Sequence, residues 1–173
     1  MTTTPKHLVR SSAIPKQATL HIRHPLNPLS DVQMTQLGDL TGLVRVGVNL
    51  ARIPPGRESF LPHAHAVQEE WVYVVRGRGQ ALLGEAWHDI APGDFLGFPT
   101  DGLVHHIRNN GEEDLVLLQG GERGPIELAS FPTINKRMLV SGGQYAQFVP
   151  ESAVESMPFS AWLAHDSDAP QDG

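Results

Sequence analysis

The sequence predicts an all-β sandwich or barrel. Between Leu43 and Gln119, short apolar and β-branched runs recur about every ten residues, separated by Gly, Pro and Asp. No helical period lies between them. The composition agrees: 17 Gly and 14 Pro in 173 residues punctuate many turns, and 40% apolar residues are enough for one well-buried core.

Taken in order, residues 1–40 read as an extended N-terminal arm, because Pro5, Pro15, Pro25 and Pro28 interrupt helix and central strand alike. Within it, Thr19 to Arg23 alternates polar with apolar and predicts a half-buried strand, on this chain's sheet or a partner's. Residues 41–120 form the predicted β core. Leu43 to Leu50 places Val44, Val46, Val48 and Leu50 on one face, with Arg45 and Asn49 on the other, until Ile53-Pro54-Pro55-Gly56 breaks the run. Trp71 to Val75 is apolar on both faces, as in a strand covered on both sides. Turns at Arg76–Gly79 and Gly84-Glu85 separate Gln80–Leu83 and Ala86–Ile90. Beyond the Ala91–Asp94 turn come Phe95–Phe98, Leu103–Arg108, the Asn109-Asn110-Gly111 turn and Leu115–Gln119, about seven or eight strands in all. Residues 121–173 predict an irregular C-terminal extension packed on the barrel through Phe131–Val140 and Phe159–Ala164, with a disordered tail from Asp166. No repeat is visible.

Composition removes several function classes. Without Cys there is no disulfide, thiolate nucleophile or thiolate metal site, so metal chemistry must use His and carboxylates; this fits a reducing cytoplasm. A net charge of −6 gives no electrostatic support to nucleic-acid binding. The N-terminus lacks a signal-peptide apolar core, and no apolar run approaches membrane-spanning length.

The informative stretch is Pro62-His63-Ala64-His65-Ala66-Val67-Gln68-Glu69-Glu70-Trp71. Residues two apart in a strand point the same way, so His63 and His65 present both imidazoles to one face. Glu70 begins the next strand on the face of Val72 and Val74, and a short turn can return it to the same point. Glu69 offers a neighbouring register, and alternation favours Glu70. The best fourth ligand on a distant strand is His105, in Gly102-Leu103-Val104-His105-His106-Ile107-Arg108-Asn109. His106 faces the opposite way and reads as outside the site. Asn109 reads as a turn former, Trp71 and Tyr73 as core or interface, and Lys136-Arg137 as a solvated pair. His7, His21, His24, His88 and His165 share no spacing and read as surface or packing residues.

These residues resemble the cupin family, whose motifs read G-x5-H-x-H-x3–4-E-x6-G and G-x5-P-x-G-x2-H-x3-N. Gly56, His63, His65, Glu70 and Gly77 fall on the first, and Gly93, Pro99, Gly102, His105 and Asn109 on the second. One extra residue separates Gly56 from His63 and another Pro99 from Gly102, both in turns outside the ligand spacings. The resemblance implies a jelly-roll β-barrel holding one divalent transition metal (Fe, Mn, Ni, Co, Cu or Zn) through His63, His65, Glu70 and His105. It also implies a homodimer and a small-molecule ligand or substrate. Three neutral imidazoles and one carboxylate leave a divalent ion near +1, with positions open to ligand, unlike a closed structural site. The expectation is a metal-dependent enzyme on a small carboxylate, diol or enol, with dioxygenase-like chemistry preferred among decarboxylase and isomerase alternatives. The competing expectation is a non-catalytic binding or sensor cupin whose metal anchors a carboxylate.

Overall fold

Thirteen strands lie among residues 5–142 and 145–162, which the computed structural model describes. They are β1 (Thr19–Ile22), β2 (Val32–Thr35), β3 (Val46–Ile53), β4 (Ala64–His65), β5 (Glu70–Arg76), β6 (Gly79–Leu83), β7 (Ala86–Ile90), β8 (Phe95–Phe98), β9 (His105–Arg108), β10 (Leu115–Glu122), β11 (Ile126–Phe131), β12 (Lys136–Ser141) and β13 (Tyr145–Pro150). The only α-helix among the described residues is Leu37–Thr41. No described helix is long and apolar enough to cross a membrane.

Three antiparallel sheets result, ordered β1-β2-β3-β10-β5-β8, β7-β6-β9 and β13-β12-β11-β4. The first two face each other across the main core. Val32, Met34, Ala51, Ile53, Val72, Val74, Leu96, Phe98, Leu115 and Leu117 from one meet Ala81, Ile90 and Ile107 from the other. A second cluster under the third sheet joins Leu61, Ala129 and Phe131 to Ile134, Met138 and Phe148. Gly77 closes the β5–β6 turn at φ +83°, where a Cβ would sit 2.4 Å from the Asp114 carbonyl oxygen, so no other residue fits.

Several expectations need correction. β3 begins at Val46 rather than Leu43, which leaves Val44 outside it and 78% exposed; of the two faces the sequence distinguished, the one with Gly47, Asn49, Ala51 and Ile53 meets the core, and Val46 on the other is 43% exposed. Register decides this, because Ala51 and Ile53 pair with the buried Leu117 and Leu115 of β10. β5 is covered on one side only, with Tyr73 and Val75 exposed on the other. Residues 126–150 of the predicted irregular extension are instead strands: β11 pairs with both β12 and β4, and β12 with β13. Phe159 and Trp162 are exposed, so the described part of that segment, Phe159–Trp162, does not bury its aromatic side chains, and residues 163 and 164 lie outside the described residues. The tail from Asp166, with His165, lies outside the described residues. β1 pairs with β2 of its own chain.

Candidate metal centre

The site is assembled by short backbone pairings. His63 and His105 form an antiparallel bridge, with His63 N–H donating to the His105 carbonyl (3.1 Å) and His105 N–H to the His63 carbonyl (2.8 Å). β4 carries His65 and is held by β11 through the pair His65–Ala129. Glu70 opens β5 opposite Phe98 of β8 and Gly121 of β10. The Phe131 ring stacks on His63 (5.5 Å between centroids, 16°) and Phe98 on His105 (3.8 Å, 8°), which fixes two of the three imidazole planes.

One ligand atom from each of His63, His65, Glu70 and His105 lies within 4.8 Å of the others. His63 Nε2 is 3.1 Å from His65 Nε2, His65 Nε2 is 3.2 Å from Glu70 Oε2, and His105 Nε2 is 3.9 Å from that same oxygen. Backbone carbonyls settle the tautomers. His63 Nδ1 lies 2.6 Å from the Leu61 carbonyl and His105 Nδ1 3.3 Å from the Leu103 carbonyl. A carbonyl only accepts, so each Nδ1 carries the proton and each Nε2 turns a lone pair to the centre. There His105 Nε2 is buried without a hydrogen-bond partner among the described residues. Convergent lone pairs and a carboxylate oxygen are what a cation satisfies, so the cluster is able to hold a metal.

Charge states agree with that chemistry. Burial, then the neighbouring His105, lowers the His63 pKa to about 4, keeping the ring neutral. For His65, burial is outweighed by the Glu70 carboxylate and then Glu127, and its pKa is raised. Burial would raise the Glu70 pKa, but contacts with His105 and His65 hold it well below the usual carboxylate range. Metal uptake must therefore displace a proton from His65 once the pH falls below that residue's raised pKa, while His63 needs no such displacement until about pH 4. Zn2+ affinity is expected to fall by up to about tenfold per pH unit once the pH drops below the raised His65 pKa. Competition titrations between about pH 7.5 and 5 check this, and a flat profile would refute imidazole ligation.

The other histidines stand apart from the cluster. His106 is buried on the far side of β9, with Nδ1 3.1 Å from Ser59 Oγ and Nε2 3.2 Å from Glu58 Oε2. Asn27 also donates to that Glu58 oxygen (3.0 Å), so His106 belongs to the fastening of the N-terminal arm. His24 packs among Phe60, Phe131 and Phe148, and His21 pairs with Asp31. His7 and His88 are exposed, as is Glu69 beside the site. Asn109 is a buried framework residue, and Arg137 pairs with Glu151 rather than standing in solvent alone. Sequence reasoning missed three residues at the site. Glu127 of β11 places Oε1 3.5 Å from His65 Nδ1. Asn49 and Gln119, register partners on β3 and β10, line a cavity of about 190 Å3 together with His63, Glu70 and His105. A polar residue on the inner face of an otherwise apolar strand was the available signal for Asn49.

Fold and site together define a class: an antiparallel β-sandwich of jelly-roll type with a three-histidine, one-glutamate cluster able to hold a metal. The family described as Cupin domain matches residues 49–119. The chain is similar to the crystal structure of a putative sugar phosphate isomerase from Acidithiobacillus ferrooxidans. The two share 35% identity over 88% of this chain and 97% of that one, with a TM-score of 0.83. A sugar phosphate isomerase from a cupin superfamily, from Silicibacter pomeroyi, is 26% identical over 87% of this chain and 96% of that one, with a TM-score of 0.75. A predicted oxalate decarboxylase from Thermotoga maritima shares the fold at 24% identity over 66% of this chain and 97% of that one, with a TM-score of 0.56. No curated protein sequence matches the chain. The chain belongs to the cupin superfamily.

Proposed function

We propose that this cupin is a divalent-metal-dependent enzyme acting on a small organic substrate, with His63, His65, Glu70 and His105 as the metal ligands. The observation that carries the reading is their convergence within 4.8 Å of one another, with His63, Glu70 and His105 lining a cavity of about 190 Å3. That volume lies below the ~300–1,000 Å3 of drug-sized pockets, so a small substrate is selected. A bound ion would act as a Lewis acid on a chelating pair of substrate oxygens. Asn49 and Gln119 supply neutral donors and acceptors to substrate hydroxyls, and Phe60, Val72, Phe98 and Ile107 exclude water.

A hydroxylated carbonyl compound fits the two amides, and Arg123, paired with Asp39, also lines the cavity. The descriptions of the two more similar structures support sugar-type isomerisation as the reaction. Dioxygenase-like chemistry is the second reading, favoured by a nitrogen- and oxygen-rich ligand set that suits Fe(II). Protein loaded separately with Mn2+, Ni2+, Zn2+ or Fe(II) tests both. Exchange of solvent deuterium into small aldoses and ketoses reports isomerisation, and oxygen uptake with diols and diketones reports oxidation. Binding without turnover in every arm supports the non-catalytic cupin instead. The proposal includes a cytoplasmic homodimer, supported by the exposed Val46, Tyr73, Val75 and Phe95 on the six-stranded sheet; a monomeric mass in solution would overturn the dimer.

A further inference from the structure

The three imidazoles of the cluster are not oriented alike. His63 and His105 each turn Nδ1 to a backbone carbonyl, whereas His65 Nδ1 is buried with no hydrogen-bond partner among the described residues. What faces it is Glu127, with Oε1 at 3.5 Å. Glu127 is 7% exposed and lies on β11, outside both sequence motifs. A buried carboxylate is costly unless its lone pairs are used. Here Oε2 accepts the Gln68 N–H (3.1 Å) and Oε1 the Leu128 N–H (3.0 Å). These two backbone donors hold the carboxylate in place and leave an Oε1 lone pair free toward His65.

We propose that Glu127 is a positioning residue for His65: its Oε1 accepts the Nδ1 proton, so that Nε2 presents its lone pair beside His63, Glu70 and His105. This rests on the metal reading above. A small rotation of either side chain brings the contact to charge-assisted hydrogen-bond length. A ligating imidazole is ordinarily oriented by such an outer partner, and a carboxylate also makes the ligand more basic than a carbonyl does. Glu127 thereby ties the β11–β13 sheet to the metal centre: the strand that braces β4 through Ala129 and Ser130 also orients the His65 ring that β4 carries.

Glu127→Gln is the direct test. The amide keeps one acceptor oxygen, and its NH2 group must face either the Gln68 N–H or His65 Nδ1. In the second case it favours the wrong tautomer. The expected result is a 10–100-fold weaker Zn2+ affinity at constant pH, measured by chelator competition. Imidazole 15N spectra of the variant should show His65 losing its Nδ1–H signature while His63 and His105 keep theirs. Ser130→Ala, on the opposite face of the same strand, should leave Zn2+ affinity unchanged. Unaltered affinity and tautomer in Glu127→Gln, or an equal loss in Ser130→Ala, would overturn the assignment. If Glu127→Gln does not fold, the Zn2+-loaded wild-type spectrum decides. His65 bound through Nε2 with a protonated Nδ1 supports the proposal, and binding through Nδ1 refutes it. Wild-type protein that takes up no Zn2+ fails the metal reading itself, and this proposal with it.

Discussion

His105→Ala is expected to abolish metal retention, with affinity reduced by at least about 100-fold, because loss of a direct donor exceeds the ~10–100-fold cost of removing an outer partner. His63→Ala should behave alike. Wild-type protein prepared with one metal in excess should hold about one ion per chain, the number a single His3Glu cluster accommodates. The two variants should come out of dialysis empty. Metal-linked stability gives an independent readout, since an ion that binds only the folded state raises Tm with concentration. That rise should appear in wild type and vanish in both variants. His105 is 4% exposed and stacked on Phe98, so alanine also leaves a void and lowers metal-free stability by about 2 kcal/mol. The two effects separate cleanly: lost packing lowers the baseline Tm, and lost ligation removes its metal dependence. Metal retained by both variants would sink the assignment.

The four-residue cluster was legible because its geometry is local. His63 and His65 share a face by strand alternation, and Glu70 shares one with Val72 and Val74, whatever the rest of the chain does. His105 required one long-range step, which the antiparallel bridge to His63 supplies. The inward face of β3 was not legible, because valine alternation shows that one face is apolar but not which face meets the opposing sheet. Pairing with β10 decides that, and it turns Asn49 inward to a polar cavity. The strands after Gly121 were hidden for a related reason. Ile126–Phe131 alternates weakly, with Glu127 on the same face as Ala129 and Phe131, and that face is stable only once it lies on β4 and the Leu61 cluster. Glu127 breaks hydrophobic alternation because it serves a histidine more than sixty residues away in sequence, a relation no local pattern records.

Asn109→Ala is expected to cost about 3 kcal/mol of stability, a fall of roughly 6–12 °C in Tm for a chain of this size. The side chain is 1% exposed and makes three hydrogen bonds to the backbone. Nδ2 donates to the carbonyls of Ile53 and Glu113, both at 2.7 Å, and Oδ1 accepts the Gly111 N–H at 2.9 Å. It joins the end of β3 to the turn that launches β10. Alanine strands two carbonyls and one N–H, each worth about 1 kcal/mol net. Asparagine to aspartate separates bonding from volume: the shape is kept, but a carboxylate oxygen replaces the donor facing two carbonyls, so Asn109→Asp at neutral pH should be at least as damaging as alanine. Asn109 lies beyond the end of β9 and its three side-chain hydrogen bonds go to Ile53, Glu113 and Gly111, none of them in the four-residue cluster, so folded Asn109→Ala should bind Zn2+ as wild type does. A Tm within about 2 °C of wild type for both variants, less than the shift 1 kcal/mol produces, would show that these backbone groups find other partners and that Asn109 does not hold the turn.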